Sequence, residues 1–247
     1  MLKELLEVHE AGRINPGQPA CLFPETLIFN EGWLLRSLLK EWLAGSGSQG
    51  LGFLPFPPGV TAYSEGQLRT PFKARYRGDK LAESHTRVDG IVGDFSITGT
   101  KSGIKLKPDL RYIAVFEAKL YAPIGRGVTN APWYDQVSRT AACLINSILL
   151  AGTKDDYSAH LVVVRAKDNR YIDPAAYSKS HIEQTIASRL EPFTAAEDRS
   201  DTIERFAAGW KEVLHKLKVH FLAWEEVVAD IGDPELSRFY DLCKQFA

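Results

Sequence analysis

The chain has 247 residues, of which 45% are apolar and 25% charged, with a formal net charge of -1. That length buries a sizeable core and fits a single α/β domain over 1–247 with an added segment, and the composition is ordinary for a globular protein. No apolar run approaches the roughly 18 residues that span a bilayer, the charge lacks the basic excess common among nucleic-acid-binding domains, and the acids in Met1-Leu2-Lys3-Glu4-Leu5-Leu6-Glu7 do not suit a signal peptide, so a cytoplasmic, membrane-free protein is expected.

In chain order, residues 1–23 open with a short helix-like segment and reach a polar turn at Asn15-Pro16-Gly17. Asn30 is placed to cap an amphipathic helix starting at Glu31, whose apolar face carries Leu34, Leu35, Leu38, Leu39 and Trp42. Gly45 to Gly59, with Pro55-Phe56-Pro57-Pro58 inside it, is too rich in Gly and Pro for regular structure. Over Pro71 to Arg77 an extended backbone would set Lys73, Arg75 and Arg77 on one side and Phe72 and Tyr76 on the other. Such a stripe is either a phosphate-binding surface or a solvated edge strand.

Thr86 to Val92 reads as a strand on which His85, Arg87 and Asp89 alternate along one face. Arg87 there is either a phosphate contact or a structural partner for a nearby acid. Thr98 to Asp109 is a polar, Gly-rich connection that lets the next strand return antiparallel. That strand is the apolar run Tyr112 to Phe116, unbroken by polar alternation and so buried on both faces. A loop from Tyr121 to Ala131 follows, in which Arg126 is a candidate phosphate contact. Trp133 to Thr140 begins a long helix with Gln136, Arg139 and Thr140 on one face. His160 to Ala166 is the last core strand. From about Asp168 the pattern turns helical, over Tyr177 to Leu190, Thr202 to Leu222 and Pro234 to Phe246, with Trp210, Val213, Leu214 and Leu217 as a packing face. This segment covers the sheet, contacts substrate or forms a homodimer interface, three uses the sequence leaves open.

Chemistry concentrates where the Tyr112–Phe116 run ends in Glu117-Ala118-Lys119. Residues two apart on a strand share a face, so the Glu117 carboxylate and the Lys119 ammonium lie side by side. With the two strands adjacent, Asp89 meets Glu117. Asp94 is a rival acid, but it lies toward the far end of its strand. Two carboxylates and a lysine at strand ends suit metal-assisted phosphodiester hydrolysis: the carboxylates hold a hard cation such as Mg²⁺ or Mn²⁺, and a cation beside them steadies transition-state charge. A Glu-x-Lys pair alone would equally be an exposed ion pair. Cys21, Cys143 and Cys243 are far apart and form no disulfide framework or zinc site, and no phosphate-binding P-loop is present.

Asp89 followed by Glu117-Ala118-Lys119 resembles the signature of the PD-(D/E)xK nuclease superfamily, which has the restriction-endonuclease-like fold. The resemblance covers residues 24–167 in the element order helix, strand, strand, helix, strand, leaving 168–247 as a helical extension. It implies an α/β core with a mixed central sheet flanked by helices. It also implies metal binding by Asp89 and Glu117, with Lys119 orienting the attacking water or stabilising the pentavalent phosphorus. Glu31 would be an added acid from the first helix, and Gln136 an added polar group from the helix after the lysine strand. A Mg²⁺-dependent endonuclease acting on DNA is the expected activity. Lys73, Arg75, Arg77, Arg87, Arg126 and Arg139 are the candidate nucleic-acid contacts. A non-cleaving binding module of the same fold and a hydrolase of small phosphoesters are the alternatives.

Overall fold

The computed structural model describes residues 2–13, 25–44, 54, 56–83, 85–99, 102–125, 131–153, 156–195 and 200–247. The helices are α1 (Leu2–Arg13), α2 (Glu25–Ile28), α3 (Glu31–Leu43), α4 (Gln136–Ala151), α5 (Lys179–Thr194), α6 (Asp201–Lys216), α7 (Trp224–Ile231) and α8 (Pro234–Phe246). The strands are β1 (Thr61–Leu68), β2 (Thr86–Gly93), β3 (Phe95–Thr98), β4 (Gly103–Leu106), β5 (Tyr112–Lys119), β6 (Ser158–Arg165) and β7 (Lys218–Ala223). All seven strands form one mixed sheet in the order β3-β4-β1-β2-β5-β6-β7, so the α/β class with helices flanking the sheet and closing the chain is as expected.

The centre of the sheet follows from the apolar run. Ile113, Val115 and Phe116 are fully buried because helices cover both faces of β5, which pairs antiparallel with β2 and parallel with β6. On one face α4, α5 and α6 pack through Val137, Leu144, Ile186, Phe206 and Trp210. On the other, α3, α7 and α8 pack through Leu35, Leu38, Val227 and Phe239 against Ala114, Phe116 and Val162. Each large side chain so buried contributes about 1.5–3 kcal/mol. Asn30 caps α3 as its sequence position suggests, accepting the Trp33 N–H at 3.1 Å, and all five expected apolar residues of that helix are buried. Gly90 lets α3 sit close: a Cβ there would come within 3.0 Å of Leu35 and Leu39.

The fold departs from the sequence pattern at four points. β1 was not foreseen; its alternation is interrupted at Glu65, which takes a left-handed φ of 58°. The expected plain connection from Thr98 to Asp109 instead contains β4 and, with β3, a hairpin that widens the sheet beyond β1. Residues 71–77 form no strand: the segment turns, Phe72 goes into the core, and Arg75 is held by Asp79 at 2.8 Å. The expected helix over Thr202 to Leu222 stops at Lys216, and β7 follows, parallel to β6. There Val219 and Phe221 pack toward one face while His220 and Leu222 lie on the other, a pairing that satisfies the open edge of β6. Asn15-Pro16-Gly17, Arg126, Cys21 and all of the 45–53 stretch lie outside the described residues.

Candidate active site

Asp89 occupies a gap in both ladders beside it. The β2–β5 pairing reaches Gly90↔Phe116 and stops, although β5 continues alongside β6 as far as Lys119↔Arg165. On the other side the β1–β2 pairing runs through Ser64↔Gly90, passes over Glu65, and resumes at Gly66↔Val88. β2 and β5 therefore diverge at this point, and the Asp89 side chain spans the divergence by accepting the Ala118 N–H at 2.7 Å. A charge-assisted bond to a backbone amide of this kind fixes the carboxylate where the strands part.

Glu117 and Lys119 project from β5 into the same gap. Glu117 is 1% exposed, and its Oε1 accepts from Lys119 Nζ and from Gln136 Nε2, each at 2.5 Å. Lys119 Nζ also lies 3.9 Å from Asp89 Oδ2 and donates to the Ala118 carbonyl at 3.1 Å. Burial raises the Glu117 carboxyl to about 8, the negative charge of Asp89 adds to the rise, and the Lys119 ammonium opposes it. The lysine is raised because attraction to Glu117 and Asp89 outweighs its own desolvation. Glu117 Oε2 is buried with no hydrogen-bond partner. A buried acceptor left in this state costs about 1–3 kcal/mol unless something fills it.

Gln136 is the first residue of α4, a helix capped by Asp135 through the Ser138 N–H at 2.9 Å. Its side chain joins three parts of the site. While Nε2 holds Glu117, Oε1 accepts the Gly125 N–H at 3.2 Å, and the Gly125 carbonyl accepts the Gln136 N–H at 3.0 Å. Two further residues steady the end of β5, and sequence alone did not single them out. Asn169 donates to the Leu120 and Ala122 carbonyls at 2.7 and 3.1 Å, and the Trp224 indole N–H donates to the Lys119 carbonyl at 3.0 Å. Neither lies near Lys119 in the chain, so no local pattern marks them.

The remaining candidates divide. Glu31 begins α3 and its charge acts on Lys119, but among the described residues no three His, Cys, Asp or Glu side chains converge as a metal-holding group. Lys73, Arg77 and Arg87 are exposed. Arg75 instead makes a two-pronged ion pair with Asp79, which lowers that carboxyl, and stacks 4.8 Å from the Phe193 ring. Arg139 is half-buried and acts electrostatically on Glu83 and Tyr134. Asp94, the rival acid, accepts the Arg111 and Tyr112 N–H groups and the Arg111 guanidinium at the opposite end of β2, a structural role.

Asp89 and Glu117 offer the hard oxygen donors a divalent cation needs, and the unpartnered Glu117 Oε2 is a free donor atom beside a second carboxylate. Two carboxylates are a donor set that Mg²⁺ accepts, with water and substrate phosphate completing the shell. No protein-family model matches the chain, and no curated protein or solved structure does. Fold and site geometry therefore carry the functional case. Among the described residues no helix is long and apolar enough to cross a membrane.

Proposed function

We propose that this protein is a divalent-metal-dependent nuclease of the PD-(D/E)xK kind, cleaving phosphodiester bonds in DNA rather than RNA by endonucleolytic attack, in the cytoplasm. The observation that carries the proposal is Glu117: a carboxyl buried beside a second carboxylate, held on one oxygen by Lys119 and Gln136 and unpartnered on the other. A structural ion pair gains nothing from a second acid that raises its own carboxyl, whereas a cation site does.

In this reading Asp89 and Glu117 hold Mg²⁺ or Mn²⁺, which when bound supplies charge stabilisation at phosphorus and a more acidic water. Lys119, anchored between both acids, positions the attacking water or meets the growing negative charge. Gln136 orients Glu117, and Asn169 and Trp224 keep the end of β5 from shifting, as the groups behind metal ligands commonly do. The Asp89 bond to Ala118 keeps its carboxylate in the gap.

The second reading, a non-cleaving nucleic-acid-binding module with this fold, draws on Glu31, which does not join Asp89 and Glu117 in a three-acid group. Calorimetric titration with Mn²⁺ separates the two at the level of the site. Wild type is expected to bind one ion, and Asp89→Asn and Glu117→Gln to lose it. Equal Mn²⁺ binding by wild type and both variants would remove the assignment of these residues.

A further inference from the structure

Among the described residues three large aromatic side chains are exposed: Tyr76 at 62%, Trp133 at 49% and Tyr171 at 57%. All three lie on connections at the end of the sheet where β5 and β6 finish. Two of them are mounted on the scaffold of the site itself. Trp133 precedes Gln136 by three residues, in the turn closed by the Tyr134 N–H to Ala131 carbonyl bond at 3.0 Å. The Tyr171 N–H is fixed at 2.9 Å by the Asn169 side chain, whose amide also holds the Leu120 and Ala122 carbonyls just past Lys119. Tyr76 is joined to the same rim through rings in succession: Arg75 over Phe193, Phe193 against Phe72, Phe72 against Tyr134, and Tyr134 beside Trp133.

We infer that Trp133 and Tyr171 form a stacking platform for unpaired nucleobases, so that the strand to be cut reaches Glu117 and Lys119 single-stranded. This rests on the nuclease reading and names its substrate class. A half-exposed ring on a backbone fixed by hydrogen bonds offers a stacking surface at reduced ordering cost, and every base can stack on such a ring. Charge agrees with this occupant. The Arg170 guanidinium lies 5.4 Å over the Tyr171 ring, which puts a cation for the phosphate next to a surface for the base. Lys73, Arg77 and Lys167 are exposed on the neighbouring connections. The acids of the 69–83 connection do not cancel Lys73 and Arg77, because Asp79 and Glu83 are buried against Arg75 and Arg189, whereas Asp168 and Asp173 are exposed beside Lys167 and Arg170 on the other connection. A duplex keeps its bases stacked inside and offers these rings nothing but sugar and phosphate.

The test is fluorescence anisotropy of labelled oligothymidylate and of a duplex of equal length, in EDTA so that binding is read without cleavage. Wild type, Trp133→Ala, Tyr171→Ala and Trp133→Phe are compared, with thermal unfolding as a check that all four fold. The single strand is expected to bind more tightly than the duplex at equal salt. Each alanine variant is expected to weaken single-strand binding by roughly 5- to 150-fold, the range for loss of one base–aromatic stack, while Trp133→Phe retains most of it. Trp133 is the most exposed of the chain's five tryptophans, so bound oligonucleotide should quench wild-type fluorescence and leave Trp133→Phe largely unquenched. Single-strand binding unchanged in both alanine variants, or equal binding of duplex, would overturn the inference. Ring-dependent binding without cleavage in Mg²⁺ or Mn²⁺ would keep the platform and remove the nuclease. Lys119-dependent cleavage that is indifferent to both rings would do the reverse.

Discussion

Replacing Glu117 by Gln should stabilise the metal-free protein at alkaline pH. The unfolded chain releases this proton near the ordinary value of 4.5, whereas the folded chain keeps it until about 8. Between those values the folded state binds more protons than the unfolded state, so wild-type stability falls as pH rises through that window. Each tenfold difference in proton affinity between the two states is worth about 1.4 kcal/mol, which caps the loss at about 5 kcal/mol. Local relaxation and water entry reduce the response to about 2–3 kcal/mol. Gln has nearly the shape of the protonated acid and keeps a hydrogen-bonding side chain toward Gln136 and Lys119. Glu117→Gln should therefore match wild type at pH 5 and exceed it at pH 9. Urea unfolding in EDTA at both values measures this. A variant less stable than wild type at pH 9 would mean that the Lys119–Glu117 contact is a stabilising ion pair, and the view of Glu117 as a strained functional carboxyl would fail.

Three further outcomes follow from other parts of the molecule. His160 is 3% exposed, shares a 3.0 Å hydrogen bond with His220, and is lowered to about 4, mainly by burial and then by His220 and Lys218. Its neutral form is the folded one, so stability should decline by up to about 3 kcal/mol as pH falls from 6.5 toward 4; acid titration of His160→Leu should lack that decline. Glu83 holds the buried Arg189 at 2.9 Å, and Arg189 also donates to the Leu81 carbonyl and lies over the Phe72, Tyr134 and Phe193 rings. Glu83→Ala should cost about 3–5 kcal/mol in urea unfolding by stranding that guanidinium, with much of the loss regained when Arg189→Met is added. Gly90→Val should cost about 1–3 kcal/mol by pushing Leu35 and Leu39 off β2, and a variant as stable as wild type would contradict the close packing of α3.

The site was more legible in the sequence than its surroundings. Asp89, Glu117 and Lys119 could be found because a buried strand ending in charges is a local anomaly, and strand periodicity then places those charges on one face. Gln136 followed from the helix after it, and α3 from its Asn30 cap and apolar spacing. β1 was hidden by its polar sequence and by the left-handed Glu65, whose irregularity opens the ladder beside Asp89. β7 was hidden because Trp210, Val213, Leu214 and Leu217 carry a helical period right up to the point where the chain turns to join β6. The expected cation stripe failed through one contact, Arg75 with Asp79, four residues on: an ion pair that folds the segment was available locally and extended structure lost to it. Asn169 and Trp224 support the site from distant parts of the chain, and only the tertiary arrangement brings them to β5.

The most direct measurement is the rate at which wild type and Lys119→Ala cut linear and circular DNA, single- and double-stranded, in Mg²⁺ and in EDTA. Wild type should cleave in Mg²⁺ and not in EDTA, and a Lys119→Ala protein that remains folded should not cleave. Cleavage by Lys119→Ala at the wild-type rate, or cleavage that persists in EDTA, would contradict the proposed metal-dependent mechanism.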